Sequence, residues 1–583
     1  MSAPGAGGTQ GFFQDAPQLA NTFEGDRVLR QSLQRLLPAD AWGDVRGDLT
    51  RFGERAAREM LPLADEAERK PPSLVRFDAW GNRVDAIETT PAWGRLHDIA
   101  AEEGIVAIGY ERAHGRYSRV HQMAKLHLFH PSSAIVSCPL AMTDGAARLL
   151  EGQTEGAGKK VAARALPRLT SRDPSVFWTS GQWMTERTGG SDVGRSETVA
   201  RAVAGLPREG THRLYGTKWF TSATTSEMTM TLARIEEPDG TVPAGSRGLS
   251  LFYAETHGED GRLADIEILR LKDKLGTKAL PTAELQLRGT PATLVGAPGR
   301  GVPTITRLIN VTRLYNTVCA VSSLRRGVAL ARDFASRRHV FGRPLAQQPL
   351  HLTTLAALEV ELHGSTVLEM HCASLLGAED CGEASADDVA ELRLLTPLAK
   401  LYTARQGVAG MSEVVESFGG AGYVEDTGIP RMLRDAQVLS IWEGTTNVLS
   451  LDALRAIQRD EALGPVLGRA MSRAGAAAKA VPGLAPSADR VAGAASQAAS
   501  YLPRAFEEGM DGLQAGARAF AFGLARIAIA GLLLEHAAWA IGTLSDDTAA
   551  IAAERWCAQD LAPFAVRGGE TREGDRRLAL DPR

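Results

Sequence analysis

The pattern of hydrophobic and polar positions changes its period along this 583-residue chain. From about residue 51 to residue 175, apolar residues recur three and four positions apart, which predicts helices. From 176 to 296, short runs such as TMTLAR and GLSLFYAE predict strands, separated by segments rich in Gly, Pro and Asp. Long helical patterns return from 297 to 459, and the alanine-rich remainder is also helical.

These changes predict an α+β protein of several domains, because the chain is long enough for three or four separate cores. A short extension precedes a helical domain, a β-barrel or sandwich, a helical bundle and an additional helical domain. The predicted segments are 1–50, 51–175, 176–296, 297–459 and 460–583.

Composition narrows the possible partners and the location. The net charge of −4 and the pI of about 6.4 give no global basic field for nucleic acid or an anionic membrane. Five scattered cysteines without metal-ligand spacing indicate reduced thiols and no metal site. The N-terminal residues lack a targeting pattern. Charges interrupt the apolar run Phe520–Gly542, which is therefore predicted to be a buried core helix. We therefore expect a cytoplasmic protein without a membrane span.

One glutamate stands out as candidate chemistry. Glu443 lies alone in the apolar stretch LSIWEGTTNVLSLDAL and directly precedes a glycine. Burial raises the pKa of a carboxyl group, so a glutamate in this setting is a candidate general base. Alternatively, Glu443 belongs to the start of a helix, with the segment 444–447 as its turn and cap. The pattern at this position leaves both interpretations open.

Four other segments combine glycines and polar residues in a fixed order along the chain. They are WMTERTGGSDVG (Trp183–Gly194), GTKWFTSATTSEMTMTLAR (Gly216–Arg234), RRHVFGRPLAQQPL (Arg337–Leu350) and SFGGAGYVEDTGIPRMLRDA (Ser417–Ala436). Their order and spacing, ending in IWEGTTN, resemble the acyl-CoA dehydrogenase flavoprotein family from about residue 100 to residue 455. Further segments resemble its AidB-like, alkylation-response branch: Arg270–Pro281, Cys138–Glu151 and the pair Gln347–Gln348.

The resemblance implies an FAD site between the β domain and the second helical domain. Thr185 matches the residue whose backbone and hydroxyl bind the flavin pyrimidine edge, and Ser191 matches a contact to pyrophosphate or substrate. Trp219 would form an aromatic wall beside the isoalloxazine, with the Thr221 hydroxyl toward N5. Considered alone, TGGSD is only a turn and Trp219 is a barrel core residue.

Other matched residues imply a cofactor shared between subunits, and hence a homodimer or homotetramer. Arg338 matches an arginine that reaches the FAD pyrophosphate of a neighbouring subunit, since guanidinium binds phosphate bidentately. Gln348 occupies the place of an adenine-side contact, although the family often has a His-Gln pair there. The glycine-rich run 419–422 would close on the adenosine half, although such runs are often helix C-caps. The remaining predicted cofactor residues are Gln182, Met184, Gly190, Phe220, Phe341, Gly419, Gly420, Ala421, Gly422, Thr445 and Asn447.

By the same resemblance, Glu443 is the base that removes the α-proton of an acyl-CoA thioester. Some relatives place this base on an earlier helix, but no acid occurs here between Glu284 and Asp333. Ser191, Arg313 and Gly444 are the predicted substrate-side residues, with a solvent-facing helix position as the alternative for Arg313.

The leading functional hypothesis is an FAD-dependent acyl-CoA dehydrogenase that acts on medium or long acyl chains and passes electrons to a separate acceptor. The product would be a trans-2-enoyl-CoA. An oxidase of the same fold is one alternative. Others are an AidB-like flavoprotein with a DNA-binding or protective role and weak dehydrogenase activity, and a flavoprotein scaffold that binds FAD without turnover.

The last helical domain is predicted not to read DNA. Residues 456–583 contain 14 basic and 15 acidic residues, and interleaved charges of this kind are typical of a solvated face. We expect duplex DNA to bind only at low salt, measured by fluorescence anisotropy across a salt series. Submicromolar affinity at physiological salt, with a log–log slope of several units, would overturn this prediction.

Overall fold

The computed structural model of the protein describes residues 14–203 and 211–580. The termini of the predicted extension and of the last domain, and a short stretch of the β domain, lie outside the described residues. Within them, helices, a β-barrel, a helical bundle and a further helical unit follow one another. This order confirms the fold class that the sequence pattern predicts.

The first unit is helical. Its helices are α1 (Arg27–Leu36), α2 (Ala39–Arg55), α3 (Leu61–Arg69), α4 (Pro91–Glu102), α5 (Ile108–Glu111), α6 (Ser118–Phe129), α7 (Ser137–Glu151) and α8 (Gly156–Leu169). The carboxylate of Asp26 caps α1 by accepting from the backbone N–H of Leu29 at 3.1 Å. Apolar residues of α1 and α2, among them Leu33, Leu49 and Phe52, are fully buried in the main core. Residues 27–50, predicted as part of an extension, are therefore integral to this unit.

This unit also contains one element that the helical pattern of the sequence does not predict. An antiparallel hairpin of β1 (Ser73–Phe77) and β2 (Arg83–Glu88) separates α3 from α4. Asp85, in β2, accepts from the backbone N–H of Ile268 at 2.9 Å, which ties the hairpin to the β domain. The hairpin therefore belongs to the contact between the two units.

The β domain is a seven-stranded barrel. Its strands are β3 (Ser180–Trp183), β4 (Val199–Ala202), β5 (His212–Ser222), β6 (Met228–Ile235), β7 (Leu249–Glu255), β8 (Ile266–Leu271) and β9 (Thr282–Val295). Pairing runs from β6 through β4, β5, β9 and β7 back to β6, with β3 parallel to β6 and β8 beside β9. The β5–β9 register shifts between Lys218 and Thr221, so the strand is irregular at Trp219 and Phe220. Such bulges redirect side chains at the edges of sites.

The helical bundle follows the barrel. It consists of α9 (Gly301–Arg337), the two-residue strands β10 (His339–Val340) and β11 (Arg343–Pro344), α10 (Pro349–Asp380), α11 (Ala386–Ser417), α12 (Ile429–Leu439) and α13 (Thr446–Asp460). A capping box starts α11, because the side chains of Ser385 and Asp388 each bond to the backbone N–H of the other. Helix α9 packs against both α7 and α11, which joins the bundle to the first unit.

The last unit packs against the bundle. It consists of α14 (Leu463–Ala480), α15 (Ala485–Glu507), α16 (Gly509–Leu544), α17 (Thr548–Cys557) and α18 (Gly569–Leu580). Among the described residues, α16 alone is long and apolar enough to cross a membrane, yet 78% of its most apolar window is buried within the protein. A largely buried helix of this kind agrees with the predicted core helix.

Small residues allow α14 and α16 to approach each other closely. A Cβ atom at Gly531, in α16, would lie 2.8 Å from Cα of Ala470, in α14, and 2.9 Å from its carbonyl oxygen. Backbone atoms cannot rotate away as a flexible side chain can. The position therefore requires glycine unless the two helices move apart.

We predict that Gly531→Ala lowers the free energy of unfolding by about 1–3 kcal/mol, because the added methyl group pushes α16 from α14. Gly542→Ala on the same helix is the matched control, since nothing lies within 4 Å of a Cβ there. The control should be neutral or slightly stabilising. Urea unfolding of both variants measures the difference, and equal stabilities would contradict the packing argument.

Candidate active site

Glu443 lies in the turn between α12 and α13. Its backbone has a φ of 60°, and the following Gly444 has a φ of 109°. A non-glycine residue in the left-handed region is uncommon, and such residues concentrate at functional sites. Helix α13 begins at Thr446 with Thr445 at its N-cap, so Gly444–Asn447 does form the turn and helix start that the alternative interpretation expects. Glu443 itself precedes the helix.

The surroundings of Glu443 favour a carboxyl group that holds its proton more tightly than usual. Burial raises the pKa of the half-buried Glu443 above its ordinary value. The charges of Arg313 and Lys400, together with hydrogen bonds from Thr312 and Gln182, oppose this rise. A carboxylate whose pKa lies closer to neutrality is a better general base at physiological pH.

Strand β3 and the loop after it bring several predicted residues together. The side-chain oxygen of Gln182 is buried and has no hydrogen-bond partner in the described part of the chain. The carbonyl oxygen of Thr185 accepts from the backbone N–H of Trp219 at 2.9 Å. A Cβ atom at Gly190 would lie 2.6 Å from the Thr185 hydroxyl oxygen, so the loop folds closely over Thr185. Met184 is partly buried, and Ser191 is exposed on the same loop.

A buried ion pair anchors this loop, and the sequence does not predict it. Glu186 accepts from Lys218 Nζ at 2.7 Å, from the Thr198 hydroxyl at 2.6 Å and from the backbone N–H of Glu197 at 2.6 Å. Burial alone would raise the pKa of the Glu186 carboxyl group, but Lys218 and the hydrogen bonds hold it below its ordinary value. The pair is fully hydrogen-bonded, as a buried pair must be to be tolerated. It therefore fixes the loop that carries Thr185 and Ser191.

The bulge in β5 presents two aromatic residues at the edge of the barrel. Trp219 is half-buried, with Lys272 Nζ at 3.9 Å from its ring centroid, and Phe220 is 45% exposed. Trp219 therefore lies at the rim, not in the barrel core as the alternative interpretation has it. Thr221 is fully buried and its hydroxyl donates to the Ala283 carbonyl at 2.8 Å. The hydroxyl is thus left with lone pairs to accept a hydrogen bond.

The predicted adenosine-side residues lie on an exposed face. Arg338, Gly419 and Gly420 line one cavity of about 410 Å³. Phe341 is 97% exposed. The side chain of Gln348 bridges the adjacent loop, because its nitrogen donates to the Val340 carbonyl and its oxygen accepts from Arg343.

The glycine-rich run also has a local structural role. Gly419 has a φ of 58° just after the end of α11, as a helix C-cap requires. A Cβ atom at Gly422 would lie 2.0 Å from the Val415 carbonyl oxygen, whereas Ala421 is partly buried. The C-cap interpretation therefore describes the local backbone, and it leaves the predicted contact to the cofactor open.

Arg313 is not a solvent-facing residue, so that alternative is wrong. Its guanidinium donates to Asp452 at 2.6 Å, and Asp452 also accepts from Arg393 at 2.9 Å. Its side chain is 12% exposed. At the start of α13, Thr445 is exposed and the Asn447 side-chain oxygen accepts from Arg518, in α16, at 3.1 Å. The last helical unit therefore contacts a predicted cofactor residue directly.

The residues between barrel and bundle fit a flavin cofactor. The unpartnered oxygen of Gln182 can accept a hydrogen bond from the flavin ring edge, which carries an N–H donor. Two consecutive glycines in the loop, Gly189 and Gly190, allow its backbone N–H groups to approach anionic oxygens closely. Trp219 and Phe220 supply an aromatic rim. Gln182 also acts on the pKa of Glu443, so this rim and the turn between α12 and α13 form a candidate site of a flavin-dependent oxidoreductase.

Comparison with known proteins identifies the family. Four family descriptions match consecutive parts of the chain. They are "Adaptive response protein AidB N-terminal domain" (15–173), "Acyl-CoA dehydrogenase, middle domain" (181–290), "Acyl-CoA dehydrogenase, C-terminal domain" (299–458) and "Acyl-CoA dehydrogenase 11 C-terminal domain-like" (468–582).

Relatives extend the match to nearly the whole chain. Acyl-CoA dehydrogenase family member 11 of Caenorhabditis elegans is 45% identical over 535 residues, covering 91% of this chain and 86% of that protein. The Escherichia coli (strain K12) protein named putative acyl-CoA dehydrogenase AidB is 32% identical and covers 71% of this chain and 74% of its own. The crystal structure of C. elegans ACDH-11 in complex with C11-CoA has a TM-score of 0.94 at 42% identity, covering 99% and 98% of the two chains.

The chain therefore belongs to the acyl-CoA dehydrogenase family, in its AidB-like branch. It is an oxidoreductase that acts on acyl-CoA, and its cofactor is FAD.

Proposed function

We propose that this enzyme converts an acyl-CoA to the trans-2-enoyl-CoA, with Glu443 as the base that removes the α-proton. The observation that carries the proposal is the raised pKa of Glu443 in a left-handed turn, beside Gln182 and Thr312. A thioester α-carbon is a weak acid, so its deprotonation requires a strong base and polarisation of the thioester carbonyl. The backbone N–H of Glu443 is the donor that we assign to that carbonyl.

The reaction balances as a two-electron oxidation of the acyl chain. The Glu443 carboxylate takes the α-proton, and the released electron pair forms the Cα–Cβ double bond while hydride leaves the β-carbon. FAD, when bound, supplies the acceptor for that hydride. The chain itself orients the substrate, through Gly444, Ser191 and the neighbourhood of Arg313, and excludes water from the carboxylate.

The flavin ring would lie against the loop after β3 and the bulge of β5. Gln182, Met184, Thr185, Gly190 and Ser191 are the loop residues of this proposal. The bulge would contribute the aromatic side chains of residues 219 and 220 and the buried hydroxyl of residue 221. The contact between the Thr185 carbonyl and the backbone N–H of residue 219 supports it, because it joins the two segments at one place.

A medium or long acyl chain is the substrate class that we favour. Support comes from the ACDH-11 complex, whose printed ligand is C11-CoA, at 42% identity to this chain. Electrons would then leave the reduced enzyme to a separate acceptor in the cytoplasm. An oxidase of the same fold would instead show rapid reoxidation of the reduced enzyme by oxygen.

We further propose that two or more copies of the chain share the cofactor sites. Three large apolar side chains, close in sequence to residues that line the Arg338 cavity, are exposed to solvent. Phe341 is 97%, Leu350 86% and Tyr423 88% exposed. Exposed apolar groups of this size favour burial against another protein surface. The run 419–422 and Gln348 would then reach the adenosine half of a neighbour's FAD, with Thr445 and Asn447 on the bundle side.

The Glu443→Gln variant tests the base. Glutamine keeps the shape and hydrogen bonding of the side chain but cannot accept the α-proton. FAD should stay bound while flavin reduction by acyl-CoA slows at least about a hundredfold in stopped-flow absorbance. In the wild type, the rate should fall as the solution is acidified, at a pH above 4.5, because the pKa of Glu443 is raised from that value.

Glu361→Gln is the matched control, since burial also raises the pKa of Glu361, but its carboxyl group contacts Tyr402. This control should reduce at the wild-type rate. Wild-type reduction by Glu443→Gln would remove Glu443 from the role of base.

The Arg338→Ala variant tests the shared cofactor. Loss of a charge-assisted hydrogen bond to phosphate costs about 1.5–3 kcal/mol, so FAD should dissociate more readily on gel filtration. Arg332→Ala is the control, because Arg332 contacts Glu359 on the surface of α9 and α10. Light scattering of the wild type should give a dimer or a larger assembly, and an FAD-loaded monomer would rule out the shared site.

A further inference from the structure

A lysine outside the sequence motifs lies beside the turn that carries Glu443, between α12 and α13. Lys400 is in the middle of α11, and its side chain is fully buried. A buried ammonium group is costly unless specific contacts compensate its lost hydration. Burial accordingly lowers the pKa of Lys400 to about 7, and the negative charge of Glu443 opposes that shift. A lysine that is buried at this cost is a candidate for a functional role.

The contact that Lys400 makes is to the backbone of the turn itself. Its Nζ donates to the carbonyl oxygen of Gly444 at 2.6 Å, across 44 residues of sequence. Within residues 14–203 and 211–580, no carboxylate oxygen lies within ion-pairing distance of this Nζ. The hydrogen bond is therefore made to the residue directly after Glu443, and not to an acid of its own.

That carbonyl belongs to a strained backbone segment. Glu443 at φ 60° and Gly444 at φ 109° are consecutive residues with positive φ. The left-handed conformation is strained for a non-glycine residue, so surrounding contacts must hold it. A Cβ atom at Gly444 would also lie 3.0 Å from a methyl group of Leu449, which leaves the turn little freedom. By fixing the Gly444 carbonyl, Lys400 fixes the direction in which the Glu443 side chain leaves the backbone.

The charge of Lys400 has a second effect on Glu443. Two cations influence this carboxylate, Arg313 and Lys400. Arg313 already pairs with Asp452 at 2.6 Å, so a carboxylate compensates its charge locally. Lys400 has no such partner, and its field acts on Glu443. Glu443 also acts on the Cys138 thiol on α7, whose pKa burial raises to about 12, so the thiol stays neutral.

We propose that Lys400 is a positioning residue of the dehydrogenation: it holds the Gly444 carbonyl, aims Glu443 at the α-carbon of the substrate and favours the ionised form of that carboxylate. This inference rests on the proposed role of Glu443 as the base. Removal of the cation disfavours the carboxylate, so the acid limb of proton abstraction moves to higher pH. Removal of the hydrogen bond releases the turn.

The test measures proton abstraction directly on the FAD-loaded enzyme. An acyl-CoA with sulfur in place of the β-carbon cannot give up a hydride, so deuterium uptake at its α-carbon in deuterated water reports on the base. Mass spectrometry follows this uptake across pH. Hydrogen–deuterium exchange of the backbone amides in residues 440–448, without substrate, reports separately on the turn.

Two variants separate the two effects. Lys400→Met removes donor and charge, and should slow deuterium uptake about tenfold or more while raising the acid limb by about one pH unit. Its amides in 440–448 should exchange at least about tenfold faster. Lys400→Gln keeps an N–H donor without the charge, and should raise the acid limb similarly. Lys125→Met is the control, because Lys125 is a buried lysine whose Nζ contacts Asp48 at 2.8 Å in the first helical unit.

The outcomes distinguish a failure of the role of Lys400 from a failure of the role of Glu443 as the base. A wild-type acid limb in either folded variant overturns the electrostatic role of Lys400, and wild-type amide exchange in Lys400→Met overturns its hold on the turn. Glu443→Gln, measured alongside, should show no uptake above the solvent background. Uptake at the wild-type rate in that variant overturns the assignment of the base, and the inference about Lys400 with it.

Discussion

The proposed site depends on one constraint: if Glu443 is the base that we propose, its carboxylate must be ionised where the protein excludes water. Burial opposes ionisation and raises its pKa, while Arg313 and Lys400 oppose that rise. The pKa of Glu443 stays raised despite these cations, so the carboxylate is a stronger base than that of an exposed glutamate. The barrel contributes Gln182 to this balance, the bundle contributes Thr312, Arg313 and Lys400, and the turn carries Glu443 itself. These groups therefore meet only when barrel, bundle and turn are packed together.

Much of the fold follows from the period of the hydrophobic pattern. Helical spacing, then alternation, then helical spacing predicts the observed order, because each type of element buries one face. Glu443 stands out in the sequence as an acid in an apolar run, where burial of a charge is costly. The pattern alone leaves its role open, and its prediction as the base comes from the resemblance to the family. The hairpin Ser73–Glu88 could not be predicted from the hydrophobic pattern, because its residues are mostly exposed and its contact with Ile268 is remote in sequence.

The sequence did not predict the contacts of Lys218 and Lys400, and the physical reason is the same for both. Lys218 reaches Glu186 across 32 residues, and Lys400 reaches Gly444 across 44 residues. Lys218 lies inside the segment Gly216–Arg234 and Lys400 lies outside the quoted segments, but the partner of each lysine is defined only by the folded chain. A single signal was available in the sequence: Lys400 is the one charged residue in the run from Leu394 to Ala404, which is otherwise mostly apolar. Exposure of Phe341 likewise becomes visible only when the chain is folded.

We propose that the site oxidises acyl-CoA at the α,β-bond. The most direct measurement is an anaerobic titration of the purified, FAD-containing protein with a panel of acyl-CoAs, combined with mass analysis of the products. We expect loss of the oxidised flavin absorbance with a medium or long chain, and formation of one trans-2-enoyl-CoA per flavin reduced. A flavin spectrum that stays unchanged with every acyl-CoA, at concentrations that saturate binding, would contradict it.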